Sequence, residues 1–157
     1  MSLVLTVWVR LLRGYAGTIR VFNAQLSADH GLTINDYEAL LALANADHSR
    51  MRLVDLAANL QLTPSGVTRL VKRLEKTGLV ERVTCPKDAR VTYAVLSDSG
   101  MVKLQEASSS HLAAVRALFE ERFTEGELRA LADLLGRLPG AEDANPGHCT
   151  AGGSTPG

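Results

Sequence analysis

The stretch LTPSGVTRLVKRLEKTGLV, Leu62 to Val80, constrains the fold more than any other part of this 157-residue chain. Thr63 is a good helix N-cap, and Pro64 suits the first helical position, where no amide hydrogen bond is lost. Gly78 follows Lys76 and Thr77 as the expected left-handed stop. Between these bounds, 3.6 residues per turn gather Val67, Leu70, Val71 and Leu74 on one side. Ser65, Thr68, Arg69, Lys72 and Lys76 gather on the other. A helix divided in this way packs one face on a body and leaves the other free. Its cations Arg69, Lys72, Arg73 and Lys76 stand against a single acid, Glu75.

That concentration is local. The chain carries 17 basic and 17 acidic residues, yet residues 50–92 hold nine Lys and Arg against four acids, net +5. Residues 1–49 are net −1 and residues 93–157 net −4. Charge asymmetry of this kind points to an anionic partner for the middle third. A merely solvated basic face is the alternative that charge alone leaves open. The length fits one compact domain, or a domain with a tail, able to bury roughly two-thirds of its unfolded surface. Cys85 and Cys149 match no metal or redox spacing, which suits a reducing cytoplasm. The apolar N-terminus lacks a basic n-region, and Arg10 and Arg13 interrupt it short of the ~20 residues that span a bilayer. It reads as an amphipathic helix, with no membrane partner.

Hydrophobic periodicity supplies the other elements. Leu5, Trp8, Leu12, Tyr15, Ile19, Phe22 and Leu26 mark one face of a long first helix, about 3–30, which Gly31 ends. Thr33 caps the second, with Asp36 in a capping-box relation and Tyr37, Leu40, Leu41 and Leu43 inward. A short third helix covers about 54–60, its start poorly signalled because Val54 sits where a Ser or Thr cap is preferred. Beyond Gly78, residues 79–83 and 91–96 read as strands around the polar turn 85–90, a hairpin. Ser97 caps a long helix to about Phe123, and Thr124 with Glu127 forms a capping box into a last helix, 128–138. Residues 141–157 are rich in Gly and Pro and nearly devoid of large apolar side chains, so disorder is expected.

The expected fold is mostly α with a small β-hairpin wing, in the order α-α-α-α-β-β-α-α. A short helix, a turn, a basic helix and then a hairpin is a winged helix-turn-helix. Short hydroxyl side chains at the helix start, together with Arg, suit base edges in a major groove. The cations beyond suit phosphates, as do the exposed amides at a helix start, here behind Thr63. Double-stranded DNA is therefore the expected partner. Arg69, Thr68, Ser65 and Arg73 are the expected base or near-base contacts, with Lys72 and Lys76 on phosphates.

The run TPSGVTRLVKRLEKTGLVER, the turn CPKDAR and the following YAVLSDSG together resemble the MarR family of transcriptional regulators. The likeness includes the Asp-x-Arg of the wing, Asp88 and Arg90, and the Leu-Ser-x-x-Gly from Leu96 to Gly100 that opens the next helix. The motif core spans residues 53–100. The resemblance implies a cytoplasmic homodimer on a pseudo-palindromic operator, acting as a ligand-responsive repressor. The basic helix would enter the major groove and Arg90 the neighbouring minor groove, with Asp88 orienting wing arginines and Lys87 adding a phosphate contact. On this reading residues 1–140 form one domain, with a winged helix-turn-helix at about 34–97 and dimerisation helices at about 3–30 and 98–138. The wide apolar stripes of the terminal helices independently support dimerisation. An aromatic or phenolic effector would occupy a pocket lined by Trp8, Tyr15, Phe22 and Tyr37, although aromatics at helical spacing also make ordinary core.

Other chemistries find less footing. No nucleophile elbow, P-loop, dinucleotide fingerprint or metalloprotease motif occurs, so an enzyme is not expected. His30, His48 and His111 form no His-x-x-x-His pair, and neither metal nor cofactor is expected. Cys85 in the wing is a conceivable redox position beside Arg82 and Lys87. Two rival functions remain: a winged-helix adaptor docking an acidic protein, and a non-specific architectural DNA binder. Ser65, Thr68 and Arg69 argue against the first, since an adaptor needs no base-reading helix start.

Overall fold

The computed structural model describes residues 2–141, so the tail expected to be disordered lies outside the described residues beyond Ala141. Six helices and a small antiparallel sheet follow the expected order closely. Helix α1, Leu3–His30, ends on Gly31 at φ 66°, the left-handed conformation that glycine adopts without steric cost. Helix α2, Ile34–Asn45, starts from a complete capping box: the Thr33 hydroxyl accepts from the Asp36 amide, and the Asp36 carboxylate accepts from the Thr33 amide. Helix α3, Leu53–Leu60, has no side-chain cap, in keeping with its weak start signal. Gln61 at φ 54° turns the chain into helix α4, Pro64–Lys76.

The hairpin is part of a three-stranded sheet. Arg50–Arg52 forms β1, Val80–Thr84 forms β2 and Thr92–Leu96 forms β3, in the order β1-β3-β2. Both pairings are antiparallel; Met51 sits opposite Ala94, and Arg82 sits opposite Ala94 from the other side. Strand β1 is the element absent from the expected order. Its three residues are too few for an alternating pattern to register, and its one strand partner is β3. Helix α5 runs Asp98–Glu120 and α6 runs Glu125–Leu135, the latter behind the capping box of Thr124 and Glu127. The last helix therefore starts about one turn earlier than the apolar pattern implies, because the cap sets the boundary.

One core joins Leu26 of α1, Leu40 and Leu43 of α2, Leu56 of α3, the inner face of α4, Val80 and Ala94 of the sheet, and Leu104 of α5. Val67, Leu70, Val71 and Leu74 all lie in it. The apolar stripe of α1 divides in two. Phe22 and Leu26 are buried, whereas Leu5, Trp8, Leu12 and Tyr15 are exposed, Tyr15 at 68%. No residue of helix α6 is buried among the described residues. No helix among the described residues is long and apolar enough to cross a membrane.

Candidate nucleic-acid interface

The interface candidate is built on α4. Its first turn is fixed by Thr63, whose Oγ1 accepts from the Gly66 amide at 3.0 Å and lies 3.3 Å from Ser65 Oγ. Thr68 donates its hydroxyl to the Pro64 carbonyl at 2.9 Å, which leaves its oxygen free to accept. Ser65, Arg69, Lys72 and Lys76 are exposed on the side opposite the core. None of the three cations takes part in an ion pair among the described residues. With no ion-pair partner among the described residues, they present their charge to whatever faces the helix.

Two cations near this face are engaged. Arg73 stands about 80° around the helix from Ser65 at 3.6 residues per turn. Its Nη2 lies 2.5 Å from Oδ1 of Asp36, a buried carboxylate of α2. The structure thus places Arg73 beside Arg69 at the edge of the outward face, half exposed and tied to the body through Asp36. Arg82 of β2 pairs with Glu75 at 3.2 Å, so the one acid of α4 links the helix to the wing. Neither partnership is visible in sequence spacing, since Asp36 and Arg73 are 37 positions apart.

The wing turn is closed by backbone bonds from Cys85 N to Val91 O and from Val91 N to Asp88 O. Asp88 grips Arg90 three times. Its Oδ1 accepts from the Arg90 amide at 3.0 Å and from Nε at 3.1 Å, and its Oδ2 accepts from Nη2 at 3.3 Å. The guanidinium bonds from Arg90, followed by the backbone bond, hold the Asp88 carboxyl below the usual carboxylate range. The Arg90 side chain remains 90% exposed despite this grip, so it projects from the turn in a set direction. Lys87 is exposed beside it and Cys85 is half-buried.

The four aromatics considered for an effector do not line one cavity. Phe22 and Tyr37 are buried, and both pack on His111 of α5, with ring centroids 5.1 and 4.8 Å away. Trp8 lies exposed near the start of α1. Tyr15 borders a cleft of about 680 Å³ with Ile19, Asn23, Ile34, Glu38 and Arg73. A second cleft of similar volume lies on the other side of Arg73, between His30, Asp36, Thr77, Val102 and Lys103. Arg73 is the one residue that borders both. Burial of Phe22 and Tyr37 follows from their place on the C-terminal half of the α1 stripe and the inner face of α2; spacing places Tyr37 inward but cannot separate Phe22 from Trp8 and Tyr15. Among the described residues, no group of three or more His, Cys, Asp or Glu is placed to hold a metal.

Known proteins share this arrangement. The MarR family model matches residues 30–91. Sco3205, a MarR family transcriptional regulator from Streptomyces coelicolor whose crystal structure is a complex with DNA, is 31% identical. The likeness has a TM-score of 0.76 and covers 83% of this chain and 81% of that one. AbsC, a MarR family regulator from the same organism, is 29% identical with a TM-score of 0.76, covering 86% of this chain and 91% of its own. The transcriptional repressor MdtR of Bacillus subtilis is 29% identical over 98 residues, 62% of this chain and 63% of that protein. Likeness of this extent reaches well beyond the basic helix and wing, and with it the chain belongs to the MarR family of winged helix-turn-helix transcriptional regulators.

Proposed function

We propose that the protein binds double-stranded DNA as a homodimer, represses transcription from a pseudo-palindromic operator, and releases it on meeting a small molecule. The observation that carries the DNA reading is the outward face of α4, where Arg69, Lys72 and Lys76 lie exposed beside Ser65 and Thr68 with no ion-pair partner among the described residues. Base edges are read by the helix start and phosphates by the cations further along, while Arg90 reaches the minor groove from the wing. Lys87 adds phosphate contact.

The homodimer rests on the exposed apolar N-terminal half of α1 and on α6, which has no core of its own. Two recognition helices then face half-sites one helical turn apart, about 34 Å. The name of MdtR as a repressor supports the same outcome here. The effector is assigned to the cleft bordered by Tyr15, Ile19 and Ile34, which holds one of the α1 aromatics and touches α4 through Arg73. A ligand preferring a different placement of α4 shifts the population away from the operator-competent spacing.

The test is fluorescence anisotropy of the purified protein on DNA from upstream of its own gene and on a shuffled duplex, at several salt concentrations. Tight, steeply salt-dependent binding that favours the upstream duplex is the expected result. Equal affinity for both would favour an architectural role, and no binding to either would favour the adaptor.

A further inference from the structure

We propose that Asp36 is a positioning residue for DNA recognition: by holding Arg73 it fixes the placement of α4 on the body, and so the direction in which Ser65, Thr68 and Arg69 face. The proposal rests on the reading of α4 as the DNA-binding helix.

Asp36 is 4% exposed, and both of its oxygens are committed. Oδ2 accepts from the Thr33 amide at 2.9 Å, which anchors the carboxylate to the start of α2. Oδ1 accepts from Arg73 Nη2 at 2.5 Å. A buried carboxylate requires partners of this kind, because desolvation penalises an unpaired charge heavily. The remaining hold on α4 comes largely from Val67, Leu70, Val71 and Leu74, and apolar burial is not directional. Close packing seats the helix on the body, and a hydrogen-bonded ion pair adds a directional restraint on its rotation. The Glu75–Arg82 pair joins α4 to the wing and not to α2. Asp36–Arg73 is therefore the directional bond between the recognition helix and α2, the helix that packs on α1 and α5.

The competing role for Arg73 is direct contact with DNA, in which case Asp36 restrains a ligand-seeking cation. The two roles give opposite signs for one substitution. Asp36→Asn keeps an oxygen for the Thr33 amide and removes the charge that holds Arg73. If Arg73 contacts DNA, the variant binds as tightly as wild type or more tightly. If Asp36 positions α4, the variant binds its preferred sequence less well.

The experiment uses full-length protein and two probes: a duplex enriched from a random library by the wild-type protein, and a scrambled duplex of the same composition. Asp36→Asn and Arg73→Gln are each expected to weaken binding to the enriched duplex on the order of tenfold, with the double variant no weaker than either single one. Binding to the scrambled duplex is expected to change much less, with the salt slope unaltered. Arg73→Lys, which retains a cation for Asp36, is expected to recover part of the preference. All measurements are made well below each variant's unfolding temperature, and the Arg73 pair alone carries the comparison if Asp36→Asn does not fold. The proposal is overturned by wild-type or stronger binding in Asp36→Asn. Equal losses on both duplexes for Arg73→Gln, with a salt slope smaller by about one, overturn it too, since that is the signature of a phosphate contact. A wild-type protein that enriches no duplex overturns the DNA reading itself, which is a separate result from unchanged variants of a protein that does.

Discussion

Gly100 of α5 lies against the backbone carbonyl of Leu79, with no room between them for a side chain. A Cβ at Gly100 would run into the Leu79 oxygen and come within 2.7 Å of Leu96 Cδ1. The same junction is tied by Ser97, whose hydroxyl donates to the Gly78 carbonyl at 2.6 Å and whose amide donates to Leu79 O at 3.1 Å. The end of α4, the root of the wing and the start of α5 thus meet within a few residues. Gly100→Ala is expected to destabilise the fold by about 1–3 kcal/mol, the usual range for overpacking a buried site. Urea unfolding measures it, with Ser99→Ala at the exposed neighbour as the control. A Gly100→Ala protein as stable as the control would show that backbone shifts absorb the methyl group.

Arg69 and Lys76 share the outward face of α4 but are assigned different work. Arg69 lies near the helix start, among the hydroxyl side chains, and its fork can pair with a guanine edge. Lys76 ends the helix and offers a point charge. Arg69→Ala is expected to cost about 1–3 kcal/mol on the preferred duplex and to flatten sequence preference. Lys76→Ala is expected to weaken all duplexes alike and to lower the salt slope by about one. Titrations on matched and shuffled DNA separate the two. Equal losses on both duplexes for Arg69→Ala would contradict its reading role.

His111 gives the fold an acid sensitivity. It is buried among Phe22, Tyr37 and the α1–α5 contact, and its Nδ1 lies 3.2 Å from Gln25 Oε1, an oxygen that can only accept. Burial pushes the imidazole pKa below its ordinary value, because the charged form loses solvent. Below about pH 6.5 the unfolded chain therefore takes up a proton at this side chain more readily than the folded one. Its contribution is fully present at neutral pH and is lost as pH falls from there towards the depressed folded value. Urea midpoints at pH 7.5, 6.5 and 5.5 are expected to fall more steeply for wild type than for His111→Gln. Parallel profiles for the two proteins would rule this histidine out as a source.

Much of this architecture was legible because its signals are local. Thr63, Pro64 and Gly78 bound α4, Thr33 with Asp36 starts α2, and Ser97 starts α5, each through contacts within a turn or at the chain's own breakpoints. The features that escaped are long-range. Strand β1 exists only through its pairing with β3, and three residues carry too little pattern to announce it. The partner that engages Arg73 is a carboxylate already accounted for by its capping role, and nothing at 37 residues' separation marks the second use. The aromatic residues of α1 illustrate the same limit. One uninterrupted stripe from Leu5 to Leu26 serves the chain's own core at Phe22 and Leu26 and leaves Trp8 and Tyr15 outside it. Periodicity reports that a face is apolar, and leaves unsaid what covers it.

What covers it is open to direct measurement. Leu5, Trp8 and Leu12 recur on one side of α1 and are exposed, and Leu134 and Leu135 are exposed on α6. Apolar side chains gathered in this way mark an association surface more often than a solvated one. Trp8 is the chain's one tryptophan, so its emission reports on that surface alone. In the homodimer its fluorescence is expected at shorter wavelength than in Leu5→Glu, where a charge three residues away on the same face opposes burial. Sedimentation is expected to give twice the chain mass for wild type and a shift towards the monomer for the variant. Operator affinity is expected to collapse with it, because one recognition helix grips a single half-site. A wild-type protein that sediments as a monomer at every concentration, with Trp8 emission unchanged by Leu5→Glu, would remove the two-half-site reading while leaving the α4 face intact as a monovalent DNA contact.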